Sequence, residues 1–268
     1  MAYDSVKIKM YSPYKHLIHY WAQEGEKYIE CFNDGYVTQV TNPPNSIALL
    51  IEPRSLKPSV YEYMEKNYDK FKYVFTHDSI LLNKLPNAKP IIWGGVWSWS
   101  NETKDFSHPI SFVASWKEGS SVRIERKKLA FELKGTIDTY GTFDGGEKVS
   151  TEVIYGKYPF SVVIENHIDD LWITEKICNC FASNTVPIYY GARKIGDYFN
   201  TDGIIICHSI DEIRKTVAYL LFNAKQEYLL RSTAIADNRK RVERYRHFDE
   251  WFMNEYGELL EEMICDCR

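Results

Sequence analysis

The sequence predicts an α/β protein with two domains, each a parallel sheet with helices on its faces. Short apolar runs alternate with helix-patterned segments in the first hundred residues, and the same alternation restarts further along the chain. A polar stretch at 98–109 (SWSNETKDFSHP) separates the two series. Since such alternation is typical of strands joined by crossover helices, we expect two separate parallel sheets.

The first series is anchored by the run at 46–51 (SIALLI), which is uninterrupted and ends at Glu52 and Pro53. A continuous apolar run bounded in this way indicates a strand buried on both faces, followed by a loop. The other predicted elements of this half are helix 58–68, strand 71–75, helix 80–85 and strand 90–93.

The second series contains strands of the same kind and ends in a long helical region. In order, we predict strand 110–115, helix 121–133, strand 135–138, strand 158–164, helix 174–183, strand 186–190 and strand 203–207. Beyond Ser209 the pattern is helical to the end, with breaks near Ala236 and His247. The two series predict two Rossmann-like domains that face each other across a cleft. We expect the first domain at 1–108, the second at 109–245, and a C-terminal helix at 246–268 that packs back on the first.

Composition and motifs exclude several classes of function. The 268 residues carry a formal charge of −4, without the basic excess of a protein that binds nucleic acid. No apolar stretch is long enough to span a membrane, and the N-terminal residues show no secretory signal, so we expect a soluble cytoplasmic protein. Neither GxGxxG nor GxxxxGK[ST] follows a predicted strand, and no Asp-x-Asp pair is present. We therefore expect no bound cofactor and no metal.

Two predicted helix starts are candidate anion sites. Thr174 is a good N-cap, and Glu175 and Lys176 follow it in the first turn. A lysine there opposes the helix dipole unless an anion compensates it, although both charges could also lie on an ordinary surface. The second candidate is Arg123, near the start of helix 121–133, where its guanidinium could hold phosphate oxygens. On the same helix we interpret Arg126, Lys127 and Lys128 as a solvated face, although their cluster with Arg123 could also hold a small anion.

The segment at 158–191 resembles the donor-binding motif of the α-1,3-fucosyltransferases, glycosyltransferase family 10. A strand ends at Glu165-Asn166, eight residues follow, and Glu175-Lys176 opens a helix that leads to a Val-Pro strand and Gly191. The stretch at 137–141 (IDTYG) and the arginine near the preceding helix start also match. Trp172 stands where the family usually has Tyr, and Ile164 where it usually has Phe.

This resemblance implies a GT-B fold, in which the first domain binds the acceptor and the second binds a sugar nucleotide. It implies metal-independent transfer with inversion, most readily of fucose from GDP-fucose to a glycan or glycoprotein hydroxyl. The implied donor-site residues are Arg123 and Lys176 at the diphosphate, Asn166, Trp172 and Glu175 around the sugars, and the cap residue Thr174. A Lys176 ammonium locked in an internal ion pair would argue against this assignment.

The base that deprotonates the acceptor is predicted to be Glu52. It directly follows the strand at 46–51 and matches, in order along the chain, an acidic residue with this role in the family. Asp78, which follows the next strand beside His77, is the rival. For the acceptor site we also expect His77, Asp78, Trp93 and Trp97, although the tryptophans could instead serve as core.

Two alternatives to fucosyl transfer remain open from the sequence. The same scaffold could use another donor, such as UDP-xylose. It could also bind a sugar nucleotide or a carbohydrate without catalysis. The presence of Glu52, Arg123, Glu175 and Lys176 together favours an enzyme over a binding protein.

Overall fold

The structure is a computed structural model that describes residues 6–13 and 26–266. The chain forms two compact units. The first unit comprises the described residues up to Trp93 together with those from His247 onward, and the second runs from Gly94 to Arg246. Each unit contains its own five-stranded sheet with all neighbours parallel, so the predicted α/β class with two parallel sheets is confirmed.

The first unit has the strand order β1-β2-β3-β4-β5. Its strands are β1 (Ile8–Tyr11), β2 (Ile29–Asn33), β3 (Ser46–Leu50), β4 (Tyr73–Thr76) and β5 (Ala88–Pro90). Its helices are α1 (Pro58–Asn67), α2 (Ser79–Lys84) and α8 (Phe248–Asp266). Because side chains of a strand alternate between faces, Ala48 and Leu50 join the buried cluster formed with α1. On the other face, Phe75 contacts Phe252 of α8 with ring centroids 4.8 Å apart.

The second unit has the strand order β10-β9-β8-β6-β7. Its strands are β6 (Ile110–Val113), β7 (Asp138–Tyr140), β8 (Phe160–Ile164), β9 (Val186–Tyr190) and β10 (Ile205–Ile206). Its helices are α3 (Ser121–Leu133), α4 (Thr151–Tyr155), α5 (Glu175–Ala182), α6 (Ile210–Leu230) and α7 (Ser232–Val242).

The order of strands in the second unit reverses direction between β6 and β8. From β6 the chain moves outward to β7, then crosses back over β6 to β8 and continues to β9 and β10. In open parallel sheets, ligands bind beyond the carboxyl ends of the strands at such a reversal. The residues that follow β6 and β8 are therefore the first place to examine for a site.

Several element predictions differ from the structure. Strands β1 and β2 were not predicted, because Lys9 and Glu30 interrupt their apolar patterns. Strand β7 begins at Asp138, where the predicted strand ends, and the short helix α4 was missed. The break in the final helical region lies at Arg231 rather than near Ala236, whereas the predicted break near His247 is confirmed.

The polar stretch predicted as a linker is built into the second unit. The Ser100 amide donates to the Ala182 carbonyl at 3.3 Å. The Lys104 ammonium donates to the carbonyls of Gly156 at 2.6 Å and Ser183 at 2.5 Å, and to the Thr185 hydroxyl at 3.1 Å. Burial lowers the pKa of Lys104 to about 8. A polar composition does not show this role, since the lysine is held by backbone carbonyls of distant segments.

None of the described helices combines the length and the apolar composition that a membrane crossing requires.

The turn after β7 contains a glycine, Gly141, that packs closely against the end of β6. Gly141 has φ +97, and a Cβ there would overlap the carbonyl oxygen of Ala114 at the end of β6. Gly141→Ala should therefore lower the free energy of unfolding by roughly 2–5 kcal/mol, since backbone strain and overlap add. Gly145 has φ +88 with open space around it, so Gly145→Ala should cost only about 1–2 kcal/mol. Urea denaturation of both variants measures the difference, and equal losses would contradict the overlap.

Candidate functional site

A fully buried carboxylate, Glu165, lies at the carboxyl end of β8. Its side chain is 0% exposed. The Thr174 hydroxyl lies 3.0 Å from Oε1 and 2.8 Å from Oε2, and the Thr174 amide donates to Oε1 at 3.2 Å. Burial raises the pKa of Glu165, and the ammonium of Lys176 opposes that rise. A buried carboxylate requires such partners because an unpaired one is strongly unfavourable.

Lys176 lies in the first turn of α5 and is held within the protein. Its ammonium donates to the Thr174 hydroxyl at 2.8 Å and to Glu175 Oε1 at 3.1 Å, and it lies 3.2 Å from Glu165 Oε2. Its side chain is only 18% exposed. Burial would lower the pKa of Lys176, but Glu165 and Glu175 outweigh it and raise that pKa. All three donors of the ammonium are occupied, which is the arrangement that argues against a direct contact between Lys176 and phosphate.

Gly191, after β9, makes room for the Glu165 side chain. A Cβ at this position would lie 2.7 Å from Glu165 Cγ and would overlap the ring of Tyr189. The Tyr189 hydroxyl in turn accepts the Ala192 amide at 2.9 Å. The glycine of the quoted motif therefore has a local steric reason.

Two arginines on α3 lie at the point where the strand order reverses. Arg126 is 7% exposed, and its Nη1 donates to the Ile164 carbonyl and to Asn166 Oδ1, both at 2.9 Å. Burial lowers the pKa of Arg126 to about 10, an effect that Glu165 opposes and the positive charge of Arg123 reinforces. The prediction that Arg126 lies on a solvated face is therefore wrong, because it shares the buried face of α3 with Leu129 and Ala130.

Arg123 stands at the N-terminus of α3 beside Arg126. Ser120 caps this helix by accepting the Arg123 amide at 3.2 Å, and its hydroxyl donates to the Asn166 carbonyl at 3.0 Å. Nε of each arginine lacks a hydrogen-bond partner among the described residues, and neither guanidinium forms an ion pair with a described carboxylate. The end of β8 thus carries two neighbouring positive charges that the described part of the protein does not neutralise directly.

The remaining donor-site candidates surround this point to different degrees. Asn166 is half-buried and accepts from Arg126, and Glu175 is half-buried against Lys176. Trp172 and Thr174 are buried at 4% and 1% exposure. Asn166 and Glu175 are therefore accessible to a ligand, whereas Trp172 and Thr174 lie beneath the surface.

In the first unit, Glu52 follows β3 and is half-buried. Its amide donates to Asp34 Oδ1 at 3.2 Å, and its carbonyl accepts the Tyr61 hydroxyl at 2.7 Å. Pro53 restricts the residue before it to extended backbone. These contacts hold the Glu52 backbone at the carboxyl end of the sheet.

Asp78 and His77 are more enclosed than Glu52. Asp78 is 2% exposed, accepts from Arg54 Nε at 2.8 Å and Nη2 at 2.9 Å, and caps α2 by accepting the Leu81 amide at 2.8 Å. His77 is 1% exposed, with Nε2 3.4 Å from the Tyr61 hydroxyl. The oxygens of Asp78 are engaged in structure, which leaves Glu52 as the more accessible of the two candidate bases.

The two predicted acceptor-site tryptophans differ in exposure. Trp93 is half-buried and packs on Phe248 of α8, with ring centroids 4.9 Å apart. Trp97 belongs to the second unit and is 69% exposed. The Trp97 ring is therefore open to a ligand, whereas the Trp93 ring is part of the packing of the first unit.

Among residues 6–13 and 26–266, no three His, Cys, Asp or Glu side chains converge as metal ligands would.

Comparison with known proteins identifies the family. Residues 103–254, more than half of the chain, match the family model described as glycosyltransferase family 10 (fucosyltransferase), C-terminal. The chain belongs to glycosyltransferase family 10. It is also 29% identical over 75 residues to the alpha-(1,3)-fucosyltransferase FucT of Helicobacter pylori, a stretch that spans 27% of this chain and 16% of that relative.

Solved structures with the same fold cover most of the chain. An α1,3-fucosyltransferase crystallised with GDP superimposes with a TM-score of 0.56 at 14% identity, covering 88% of this chain and 82% of that one. The pneumococcal O-GlcNAc transferase GtfA, solved with UDP and GlcNAc, gives 0.55 at 13% identity, covering 88% and 57%. These similarities confirm the predicted GT-B fold.

Sequence reasoning gave no role to Glu165 or Asp34, and it favoured a solvated position for Arg126. Arg126 could have been found from its three- and four-residue spacing to Leu129 and Ala130, which places it on the buried face of α3. Glu165 was quoted in the motif but given no role. Asp34 follows β2, a strand that the sequence did not reveal, so no pattern pointed to it.

The buried pair of Glu165 and Lys176 can be tested by a double-mutant cycle. Lys176→Met leaves a buried carboxylate without its counter-charge, and Glu165→Gln leaves the ammonium with Glu175 alone. Each should lower the free energy of unfolding by about 3 kcal/mol, and the double variant should recover at least about 1 kcal/mol. Denaturant unfolding measures all three, and strictly additive losses would contradict the pair.

The same pair predicts how the loss in Lys176→Met depends on pH. Without the ammonium, the folded-state pKa of Glu165 rises further above its unfolded value, so its ionisation opposes folding as the pH increases. The loss should therefore be larger at pH 8 than at pH 5. Lys127→Met is a matched control, because Lys127 pairs with Glu118 at the surface and should matter little at either pH.

Proposed function

We propose that the protein transfers a sugar from a nucleoside diphosphate donor, GDP-fucose, to a hydroxyl of a glycan or glycoprotein. Membership of glycosyltransferase family 10 supports the reaction class. The fold shared with an α1,3-fucosyltransferase solved with GDP supports a guanosine nucleotide. We also propose that the transfer inverts the configuration at the anomeric carbon and requires no metal ion.

The main evidence for a donor site is the pair of arginines, Arg123 and Arg126, at the end of β8. Two adjacent guanidinium groups repel each other, and no described carboxylate forms an ion pair with either. A diphosphate would relieve this repulsion, because its oxygens accept charge-assisted hydrogen bonds from guanidinium N–H groups. We therefore assign the diphosphate to Arg123 and Arg126, since Lys176 is paired with Glu165 and Glu175.

The chemical step needs a base and a group that stabilises the leaving diphosphate. The acceptor oxygen forms a bond to the anomeric carbon, the bond from that carbon to the phosphate oxygen breaks, and the acceptor proton passes to a carboxylate. We propose Glu52 as this carboxylate, since the oxygens of Asp78 are held by Arg54 and Leu81. The negative charge on the departing GDP would be stabilised by the two arginines.

Nucleotide binding tests the donor site. Arg123→Met should weaken GDP binding about 10- to 100-fold, the effect of losing a charge-assisted contact worth about 1.5–3 kcal/mol. Arg214→Met is the control, since Arg214 pairs with Glu132 at the surface of the same unit and should leave GDP affinity unchanged. Isothermal titration calorimetry with GDP and UDP gives both affinities. Tighter binding of UDP would overturn the guanosine assignment, and absence of binding to any nucleoside diphosphate would overturn the function.

Transfer from GDP-fucose to a glycan panel tests the base. Glu52→Gln should reduce transfer at least about 100-fold while GDP affinity stays within twofold, because the amide cannot accept the proton. Glu62→Gln, an exposed position on α1, is the matched control. Product release followed by mass spectrometry, in EDTA and with the product anomer read by NMR, also checks inversion and metal independence. Full activity of Glu52→Gln would assign the base elsewhere.

A further inference from the structure

Asp34 is placed against Glu52 by the register of two neighbouring strands. Asp34 directly follows β2, and Asn33 at the end of β2 is paired with Leu49 of β3. This register brings the Asp34 side chain to the loop that leaves β3. Its Oδ1 accepts the amides of Ile51 at 2.8 Å and Glu52 at 3.2 Å. A single carboxylate oxygen therefore holds two successive backbone N–H groups, the second of which belongs to Glu52.

Asp34 combines three features that oppose folding. Its backbone has φ +44, a region that side chains other than glycine rarely adopt. Its side chain is 4% exposed, and its Oδ2 has no hydrogen-bond partner in the part of the chain that the structure describes. An asparagine would tolerate the same backbone and offer the same Oδ1 acceptor without a buried charge. Features that cost stability in this way are typical of functional positions.

The charge of Asp34 is sensitive to pH. Burial raises the pKa of Asp34 to about 6, and the charge of Glu52 adds to this effect, whereas the Ile51 and Glu52 amides and the Asn33 side chain oppose it. Tyr61 faces the same point from α1, where the charge of Asp34 helps to raise its pKa. Arg54 does not neutralise Asp34, because it is engaged with Asp78 and Glu65.

We propose that Asp34 is a positioning residue that anchors the Ile51–Glu52 backbone and thereby directs the Glu52 carboxylate toward the acceptor hydroxyl. This inference rests on the proposed role of Glu52 as base. The ionised carboxylate forms the stronger bonds to the two amides, so the anchor weakens when Asp34 takes up a proton. Displacement of a reacting group by about 1 Å can slow a reaction about 100-fold.

The test compares Asp34→Ala, which removes the anchor, with Asp34→Asn, which keeps the Oδ1 acceptor. Asp34→Ala should lower kcat for fucosyl transfer about 10- to 100-fold with KM for the acceptor and GDP affinity unchanged. Asp34→Asn keeps a neutral acceptor and should lower kcat only about 2- to 5-fold, the same loss that protonation of Asp34 should cause in the wild type. Asp69→Asn, an exposed position in the same unit, is the control. Activity of Asp34→Ala within twofold of the wild type would overturn the inference.

The pH dependence of transfer and the melting temperature of Asp34→Asn test the same role without requiring Asp34→Ala to fold. In the wild type, transfer should fall about 2- to 5-fold as the pH drops through about 6, and Asp34→Asn should lack this step because its side chain does not titrate. Asp34→Asn should also melt at the same or a higher temperature than the wild type at pH 8. This follows because a carboxylate whose folded pKa is raised opposes folding once ionised. If Asp34→Asn kept the wild-type step near pH 6, the positioning role would be contradicted, and a clear drop in its melting temperature would contradict the cost assigned to the buried charge.

Hydrogen exchange separates failure of this inference from failure of the proposed function. The amides of Ile51 and Glu52 should exchange faster in Asp34→Ala than in the wild type and remain protected in Asp34→Asn. If the wild type transfers no sugar from any donor, the proposed function fails while the exchange result still decides whether Asp34 is the anchor. If the wild type is active but exchange at Ile51 and Glu52 is the same in every variant, the inference fails alone.

Discussion

The second unit depends on the burial of one charged group, the carboxylate of Glu165 at the end of β8. Taking a carboxylate out of water is unfavourable unless hydrogen bonds and a counter-charge replace the water. Thr174 and Lys176 provide both, and they belong to the N-terminus of α5. Satisfying Glu165 therefore fixes where α5 begins. Gly191 completes the arrangement, since any side chain there would occupy the space of Glu165.

This arrangement leaves the arginines of α3, rather than Lys176, without a carboxylate partner among the described residues. Because Lys176 is committed to Glu165 and Glu175, its charge is already balanced. Arg126 is tied to the end of β8 by neutral acceptors only, and Arg123 stands beside it without a carboxylate partner among the described residues. The unbalanced charge thus lies where the strand order reverses, the place at which open parallel sheets bind ligands. The family resemblance and local electrostatics therefore agree on Arg123, whereas electrostatics favours Arg126 over Lys176.

In the first unit, the carboxylates at the strand ends differ in burial and in hydrogen-bond partners. Asp78 accepts hydrogen bonds from Arg54 and caps α2, so both of its oxygens have structural partners. Asp34 is buried and holds backbone amides. Glu52 keeps a half-buried side chain on a backbone held from both sides. Three carboxylates of similar intrinsic chemistry therefore differ in how accessible they are to a substrate, because burial and nearby hydrogen-bond donors differ.

The amino-acid sequence by itself determined the α/β class, the two parallel sheets and the family, because strand periodicity and motif spacing are local properties of the chain. It also located Glu52 and the start of α5, each adjacent to a strong pattern. Tertiary structure alone decided that Arg126 is buried, that Lys176 is paired internally and that Asp34 touches the Glu52 backbone. These three features depend on which distant segments meet at one sheet edge and on the exclusion of water there. Neither can be predicted from residues that are neighbours in the sequence. The strand before Asp34 was hidden for the same reason, since Glu30 interrupts its apolar pattern and only packing in the sheet accommodates it.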